Sequence, residues 1–333
     1  MFQVLLLGGL AEIFRPICAM RMFKIHVKTW RLIAALAVPL SLAGCSANGS
    51  VPTTPDDVVL TEAIPFCSAP VNGVSQPLLL DVARPKGQSK DLPVVLLVHG
   101  GGWAGGSRAD YRFMLNALAK QNWVGVSVDY RLSTHSVFPA QIEDVKCAVR
   151  WIRKNAALYR MDTQRLVAMG GSAGAHLVAL LGTTTGMAQF EGTGGHAGYS
   201  SHIDAMVLHG GPYDLGNLVR EMSANPTAHT PAGVHAVRML LGGNTETHSI
   251  AYRQASPVTY ASPKSAPALF LHGENDTVVP PTEALRFDAL LKSKGASSQV
   301  LIMEGAGHGD FGAHPGPVVE TLVAFIKGAV ASR

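Results

Sequence analysis

Short apolar runs alternate with helical patterns along most of the chain. The apolar runs, which are rich in β-branched residues, cover 92–98, 123–128, 165–169, 203–208, 268–271 and 299–303. Helical patterns cover 111–121, 140–158, 173–181, 283–294 and 318–330. Alternation of strand and helix is typical of a mostly parallel sheet with helices on both faces. The sequence therefore predicts an α/β fold whose site lies at the carboxyl edge of the sheet.

One segment, 215–264, interrupts this alternation. It contains several His, Pro and Asn residues and only short helical patches, one of them around 234–241. Inserts placed before the last strands of such a fold commonly form lids over binding sites. We therefore expect 215–264 to form a partial cap.

The N-terminus has the pattern of an export signal. Lys24, Lys28 and Arg31 precede the apolar stretch 32–43. That stretch contains Pro39 and is shorter than the roughly 20 apolar residues that span a bilayer, which argues against a transmembrane anchor. A basic region followed by a short apolar region predicts a signal peptide.

The apolar stretch ends in Leu42-Ala43-Gly44-Cys45, which resembles a bacterial lipoprotein box. The resemblance implies cleavage before Cys45 and lipidation of its thiol, and Ser46 at the next position resembles the sorting pattern for the outer membrane. We expect residues 1–44 to be a removed leader, 45–57 a flexible tether rich in Ser, Pro and Thr, and 58–333 the folded domain. The expected location is the cell envelope, at the periplasmic face of the outer membrane, with the lipid anchor in the membrane.

Composition fits a globular protein of this size. Of the 333 residues, 47% are apolar and 15% charged, which is enough to bury a large core. Five of the 27 basic and one of the 23 acidic residues precede Cys45, so the remainder carries equal numbers of each. A balanced charge gives no reason to expect nucleic acid as a partner. Outside the leader and the lipid site, Cys67 and Cys147 remain; they could pair in an oxidising compartment, and the sequence leaves this open.

The strongest chemical signal is the segment 170–174, GGSAG, between a predicted strand and a predicted helix. A sharp strand-to-helix turn needs Gly on both sides so that the Ser hydroxyl is exposed above the sheet. Both flanking elements are predicted here, which favours a nucleophile over an ordinary turn. Ser172 is therefore the candidate nucleophile.

A glycine-rich segment, HGGGW at 99–103, directly follows the predicted strand 92–98. Backbone N–H groups stabilise an oxyanion best where Gly lets the loop approach closely. Gly101 and Gly102 are candidate oxyanion donors, together with the N–H of Ala173 just after the nucleophile. The segment lacks the spacing and the Lys of a phosphate loop. His99 is interpreted as a structural residue of this loop.

Chain order directs the search for the remaining catalytic groups, since this kind of site places Ser first, then an acid, then His. Asp276 and Glu274 follow the predicted strand 268–271, and His308 follows the strand 299–303. Asp276 is the predicted acid because it lies deeper in its loop, and Glu274 is the alternative. His308 would accept the Ser172 proton and later pass it to the leaving group.

Other polar residues receive structural interpretations. His176 is one helical turn beyond Ser172, which points its side chain away from the nucleophile. The histidines between 196 and 248 lack metal-ligand spacing joined to carboxylates or cysteines, so no metal site is predicted. Asp129, Tyr130, Arg131 and Asp144 are expected to order loops near the site through hydrogen bonds.

Together these motifs resemble the α/β-hydrolase superfamily, and within it the bacterial esterase/lipase and feruloyl/acetyl-xylan esterase group related to hormone-sensitive-lipase-like esterases. The motifs are 99–103, 129–131, 138–140 with Asp144, Trp151, 170–174, Ser256-Pro257, 272–280 and Gly307-His308. The resemblance covers the chain from about residue 76 onward, apart from 215–264. It implies an α/β-hydrolase fold and a serine carboxylic-ester hydrolase that forms an acyl-enzyme, needs no cofactor and acts on short-chain, aryl or carbohydrate-linked esters.

Two alternative functions remain at this point. Kynurenine formamidases are similar to this group and share a His-Gly-Gly-x-Trp loop, which would make the substrate an amide. A binding lipoprotein with a hydrolase fold and no catalysis is the second alternative, although such proteins typically lack a member of the triad, and here Ser172, Asp276 and His308 are all present.

Overall fold

A single eight-stranded sheet organises the part of the chain that the computed structural model describes, residues 56–71, 73–225, 231–310 and 315–331. The strand order is β1-β2-β4-β3-β5-β6-β7-β8. Strands β3 to β8 run parallel, whereas β2 is antiparallel to both β1 and β4. The strands are β1 Val58–Val71, β2 Val74–Pro85, β3 Leu92–Val98, β4 Val124–Val128, β5 Met161–Gly171, β6 Ala205–His209, β7 Ala268–Gly273 and β8 Ser298–Met303.

Helices cover both faces of this sheet. They are α1 Arg112–Lys120, α2 Ala140–Lys154, α3 Ala156–Tyr159, α4 Ala173–Thr183, α5 Leu215–Ala224, α6 Pro231–Leu241, α7 Ser249–Ala255, α8 Thr282–Ser293 and α9 Pro315–Ala331. Alternate residues of β3 face opposite sides, as the two-residue period of a strand requires. Leu96 packs in the cluster with residues of α2, α4 and α8, and Leu97 in the cluster with residues of α1 and α9. The predicted α/β-hydrolase class, with a mostly parallel sheet between two helical layers, is confirmed.

The hairpin of β1 and β2 is the part of the sheet that the apolar pattern did not predict. All seven residues of β3 are buried, whereas β1 alternates irregularly between buried and exposed positions. Strand β1 also contains Pro65 and Pro70, which an edge strand tolerates because, among the described strands, only β2 pairs with it. An edge hairpin thus lacks the continuous apolar run that identifies a central parallel strand.

The predicted helix 140–158 is two helices in the structure. Helix α2 ends at Lys154, and the short helix α3 begins at Ala156. Asn155 terminates α2 by donating hydrogen bonds from its backbone and its side-chain amide to the carbonyl of Trp151, both at 2.9 Å. Asn competes well for terminal helix carbonyls in this way, which the apolar periodicity alone does not reveal.

The segment 215–264 contains α5, α6, α7 and a 3-10 turn, Pro257–Tyr260. Helix α6 lies against the loops that follow β3 and β4. A Cβ placed on Gly102 would lie 3.3 Å from Cβ of Ala236, and the Phe138 N–H donates to the carbonyl of Leu240 at 2.9 Å. These contacts bring α6 to the carboxyl edge of the sheet.

A disulfide joins Cys67 of β1 to Cys147 of α2, with their Cα atoms 6.4 Å apart. The structure therefore shows that the two cysteines pair, which the sequence left open. The bond links the edge strand to a helix of the adjacent layer. Among the residues that the structure describes, no helix is long and apolar enough to cross a membrane. The predicted leader, Cys45 and the tether up to residue 55 lie outside the described residues.

Candidate active site

Ser172 lies at the turn between β5 and α4. Its backbone has φ 54° and ψ −120°, a conformation that a residue with a Cβ rarely adopts. Gly170 and Gly174 make the turn possible: a Cβ on Gly170 would overlap the backbone of Gly174, and a Cβ on Gly174 would overlap the carbonyl of Val98. The sequence GGSAG therefore forms the strained elbow that it predicts.

His308 meets Ser172 from the loop that follows β8. Its Nε2 lies 3.0 Å from the Ser172 Oγ, and its Nδ1 lies 2.8 Å from Oδ2 of Asp276. In the productive tautomer, Nδ1–H donates to the carboxylate and Nε2 accepts from the serine hydroxyl. The structure thus brings together the three side chains that the sequence proposed from separate loops.

Asp276, rather than Glu274, contacts the histidine. Oδ1 of Asp276 accepts hydrogen bonds from the N–H groups of Val278 and Val279, both at 2.9 Å. Glu274 is exposed, and its Oε2 accepts from the Gly305 N–H at 3.1 Å. The deeper residue of this loop therefore lies within reach of His308, and Glu274 fastens the neighbouring turn.

The charge of Asp276 is well stabilised. Burial raises the pKa of this carboxyl, but contacts from His272 and His308 and the Val279 N–H outweigh burial and hold the pKa well below its usual range. The carboxylate consequently stays ionised where the histidine must be oriented and its cation stabilised.

The predicted oxyanion loop lies directly against the nucleophile. A Cβ on Gly100 would lie 3.4 Å from Cβ of Ser172. Gly101 and Gly102 have φ of 100° and 59°, and a Cβ on Gly101 would overlap the carbonyl of Gly105. Glycine is thus required for the loop's shape. Ala173 is the first residue of α4, where backbone N–H groups have no partner within the helix and point toward the Ser172 end.

Two buried aromatic contacts hold this loop. The Tyr130 hydroxyl donates to the carbonyl of His99 at 3.0 Å, and the two rings stack with centroids 4.2 Å apart. The Trp103 indole N–H donates to Nδ1 of His176 at 3.2 Å, and Nε2 of His176 contacts the carbonyl of Ala255 at 2.7 Å. Burial lowers the pKa of His176 to about 4. The structural interpretations of His99, Tyr130 and His176 are confirmed.

Ion pairs order the loops after β3 and β4. Arg131 contacts Asp144 of α2 at 2.7 Å, and Arg108 contacts Asp129 at 2.6 Å and Asp81 at 2.9 Å. The predicted role of Asp129, Arg131 and Asp144 in fixing loops through hydrogen bonds is confirmed.

Two histidines next to the triad were not recognised from the sequence. The carbonyl of His209 accepts the Ser172 N–H at 2.8 Å, and its Nε2 lies 3.3 Å from the carbonyl of Asp310 in the His308 loop. Burial first, and then the nearby His308 and His272, lower the pKa of His209 to about 4. His272 lies 3.3 Å from Asp276. Both histidines lie at the carboxyl ends of strands, β6 and β7, and this position in the sequence could have identified them as neighbours of the site.

The fold and this geometry define an α/β-hydrolase with a Ser-His-Asp arrangement at a nucleophile elbow. The chain belongs to the BD-FAE family, whose model matches residues 80–291. Esterase LipC of Mycobacterium tuberculosis is 35% identical over 266 residues, covering 77% of this chain and 63% of that protein. Esterase LipQ of the same organism is 30% identical, covering 62% of this chain and 47% of that protein. The chain thus spans about half to two thirds of the length of these curated relatives.

Solved structures show the same fold. A truncated carbohydrate esterase from gut microbiota has a TM-score of 0.70 at 25% identity and covers 82% of this chain and 97% of that one. Esterase 2 of Thermogutta terrifontis phosphonylated by sarin has a TM-score of 0.66 at 25% identity and covers 85% of this chain and 99% of that one.

Proposed function

We propose that this protein is a serine carboxylic-ester hydrolase that acts through an acyl-enzyme formed on Ser172. The observation that carries the proposal is the continuous contact from Ser172 through His308 to Asp276, at 3.0 and 2.8 Å. Similarity to esterases over most of the chain supports it. Phosphonylation of the Thermogutta esterase is the behaviour of an activated nucleophile and also supports the proposal.

In the proposed reaction, Oγ of Ser172 attacks the ester carbonyl carbon as Nε2 of His308 takes its proton. The carbonyl oxygen becomes an oxyanion, which the N–H groups of Gly101, Gly102 and Ala173 stabilise. The tetrahedral intermediate then collapses: the carbon–oxygen bond to the alcohol breaks, and His308 returns the proton to that alcohol. A water molecule then attacks the acyl carbon while His308 takes its proton. The bond from that carbon to Oγ of Ser172 breaks, the carboxylic acid leaves, and His308 returns the proton to Oγ.

The substrate is proposed to be a small ester with a short acyl chain or an aryl or carbohydrate alcohol. Helix α6 lies close to the glycine-rich loop, since a Cβ on Gly102 would lie 3.3 Å from Cβ of Ala236, and this supports the proposal that 215–264 is a partial cap over the site. The ester is preferred to a formamide because the relatives LipC and LipQ are esterases.

A substrate panel tests the proposal. Purified enzyme is assayed with p-nitrophenyl acyl esters of increasing length, methyl ferulate, acetylated xylan and N-formylkynurenine, each beside the Ser172→Ala variant. We expect Ser172-dependent hydrolysis of one or more of the esters at a kcat/KM above that for the formamide. A preference for N-formylkynurenine would make the enzyme an amide hydrolase, and no activity on any substrate would favour a binding role.

We further propose that the mature protein is attached to the cell envelope through a lipid on Cys45, at the periplasmic face of the outer membrane. The support is the basic and apolar leader, the Leu42–Cys45 motif and the disulfide, a bond typical of oxidising compartments.

A further inference from the structure

His272 is a fully buried imidazole whose position the ester-hydrolase mechanism does not yet explain. It lies in β7 one residue before the strand's end at Gly273. Its Nε2 lies 2.8 Å from the carbonyl oxygen of Val279 and 3.3 Å from Oδ2 of Asp276. Both neighbours of this nitrogen are hydrogen-bond acceptors, so Nε2 must carry a proton and donate it.

The other ring nitrogen of His272 gains nothing from burial. Among the described residues, Nδ1 has no hydrogen-bond partner. A buried polar atom without a partner loses its hydration without compensation, and an apolar side chain at this position would avoid that cost. The compensating gain must therefore lie on the Nε2 side, where the contacts are Val279 and Asp276.

These contacts place His272 among the polar groups that surround Asp276. Its Oδ1 accepts from the N–H groups of Val278 and Val279, and its Oδ2 contacts His308 at 2.8 Å and His272 at 3.3 Å. Two backbone donors on Oδ1, and His308 on Oδ2 with the His272 ring beside it, fix the rotamer and stabilise the negative charge of the carboxylate.

His272 also lies against both ends of the turn from 276 to 279. Its Nε2–H donates to the carbonyl of Val279, and the same nitrogen lies 3.3 Å from Oδ2 of Asp276, so the ring packs against the first and last residues of that turn. Next to it, a Cβ on Gly273 would overlap the carbonyl of Gly307 in the His308 loop. A Cβ on Gly210 would lie 3.5 Å from Oδ2 of Asp276 on another side. The carboxylate is thus enclosed, and the His272 ring packs 3.3 Å from Oδ2 on the side away from solvent, where it limits the movement of that oxygen away from His308.

We propose that His272 is a positioning residue for the catalytic acid: anchored by its Nε2–H to the Val279 carbonyl and lying 3.3 Å from Oδ2, it keeps Asp276 in the orientation that binds Nδ1 of His308. The inference rests on the proposed function, since it assigns His272 a role in the same triad. His272 touches neither the substrate nor the reacting atoms and acts only through Asp276.

Substitution with an apolar or an amide side chain separates positioning from simple packing. His272→Met removes the N–H donor and fills the buried position with an unbranched apolar side chain. His272→Gln places an amide N–H near the position of Nε2, and His272→Asn carries the same amide on a stem too short to reach Asp276. The matched control is His196→Met, since Nε2 of His196 also contacts a backbone carbonyl, that of Phe66 at 2.7 Å, but lies in a different loop.

The readouts are kcat and KM for an ester that the wild type hydrolyses, and the downfield proton resonance of the His308–Asp276 hydrogen bond. We expect His272→Met and His272→Asn to lower kcat about 10²-fold, as a misplaced catalytic group does, while KM changes by less than about twofold. His272→Gln should recover most of the lost kcat, and the His196 control should match the wild type. The downfield resonance should persist in the Gln variant and disappear or shift in the Asn variant.

Two results would overturn the positioning role. One is a wild-type kcat in all three His272 variants, and the other is a loss of kcat in the Gln variant as large as in the Met and Asn variants. If the Met variant does not fold, the comparison of Gln with Asn gives the same decision. Failure of the proposed function is distinguished by the wild type: absence of ester hydrolysis there refutes the function, and the resonance still tests whether His272 holds Asp276.

Discussion

At the scale of single residues, the site depends on how each ionisable group is surrounded. Asp276 and Glu274 are two residues apart on one loop, yet only Asp276 is buried and contacts His308. The same burial that would raise the pKa of a lone carboxyl is outweighed by donors placed around Asp276. The local environment, and not the residue type, therefore makes Asp276 the candidate acid.

The first prediction follows from this difference. Asp276→Asn should lower kcat on the order of 10⁴-fold, because an amide favours the wrong histidine tautomer. Glu274→Gln, the matched control on the same loop, should change kcat little because its contact is with the Gly305 N–H. Steady-state kinetics on both variants checks this, and a larger loss in the Gln variant would make Glu274 the acid.

The second prediction concerns pH and the buried His176. Its pKa is lowered to about 4 by burial, whereas the unfolded chain has the ordinary value of about 6.5. As pH falls through this window, the unfolded chain takes up a proton that the folded protein refuses, so stability is lost. The loss attributable to His176 between pH 7 and pH 4 is roughly 3 kcal/mol.

Denaturant unfolding of wild type and His176→Gln, at pH values between 7 and 4, measures that loss. The free energy of unfolding should fall less steeply with acid in the variant, because its amide does not titrate. His209 remains in both proteins and cancels in the comparison. Parallel curves for the two proteins would show that His176 does not contribute.

The sequence predicted the candidate catalytic residues but not the histidines that lie beside them. Ser172, Asp276 and His308 lie in recognisable motifs on loops after predicted strands. The contact of His209 with the Ser172 N–H depends instead on β6 lying beside β5 in the sheet. His272 contacts Asp276 and Val279 of the loop that follows its own strand, and the shape of that loop was not predicted. Strand order is a tertiary property that a single sequence does not encode in any local pattern.

At the scale of secondary-structure elements, the central strands were predictable and the edge hairpin was not. A strand buried on both faces is a continuous apolar run, as in β3. The β1–β2 hairpin is half-exposed and contains proline, so apolar burial holds it to the rest of the fold less strongly than it holds a central strand. A covalent bond can compensate for this. The disulfide between Cys67 and Cys147 supplies one.

The third prediction is that this disulfide stabilises the fold without serving catalysis. It closes a sequence separation of 80 residues, and removing such a bond typically costs about 2–4 kcal/mol. The Cys67→Ala/Cys147→Ala double variant should unfold at lower denaturant concentration and keep the wild-type kcat. Dithiothreitol should lower the melting temperature of the wild type and leave that of the variant unchanged. Equal free energies of unfolding for the variant and for the wild type with its disulfide intact would contradict this prediction.

At the scale of the whole molecule, the proposed lipid on Cys45 determines where in the cell the folded domain is found. The fourth prediction is that Cys45→Ala, expressed with the natural leader, moves the protein from the membrane fraction to the soluble periplasmic fraction. Specific activity should not change, because the predicted tether separates Cys45 from the domain. A variant that still sediments with washed membranes would refute the lipid anchor.

The central claim is that Ser172 is a nucleophile activated by His308, and covalent labelling tests it most directly. A fluorophosphonate probe should form a stable adduct on Ser172, located by peptide mass spectrometry, since the phosphonyl group mimics the tetrahedral intermediate. Ser172→Ala should fold with a nearly unchanged melting temperature, take up no label and lose roughly 10⁴- to 10⁶-fold in turnover. Labelling of a different serine, or ester hydrolysis by Ser172→Ala at the wild-type rate, would contradict the account.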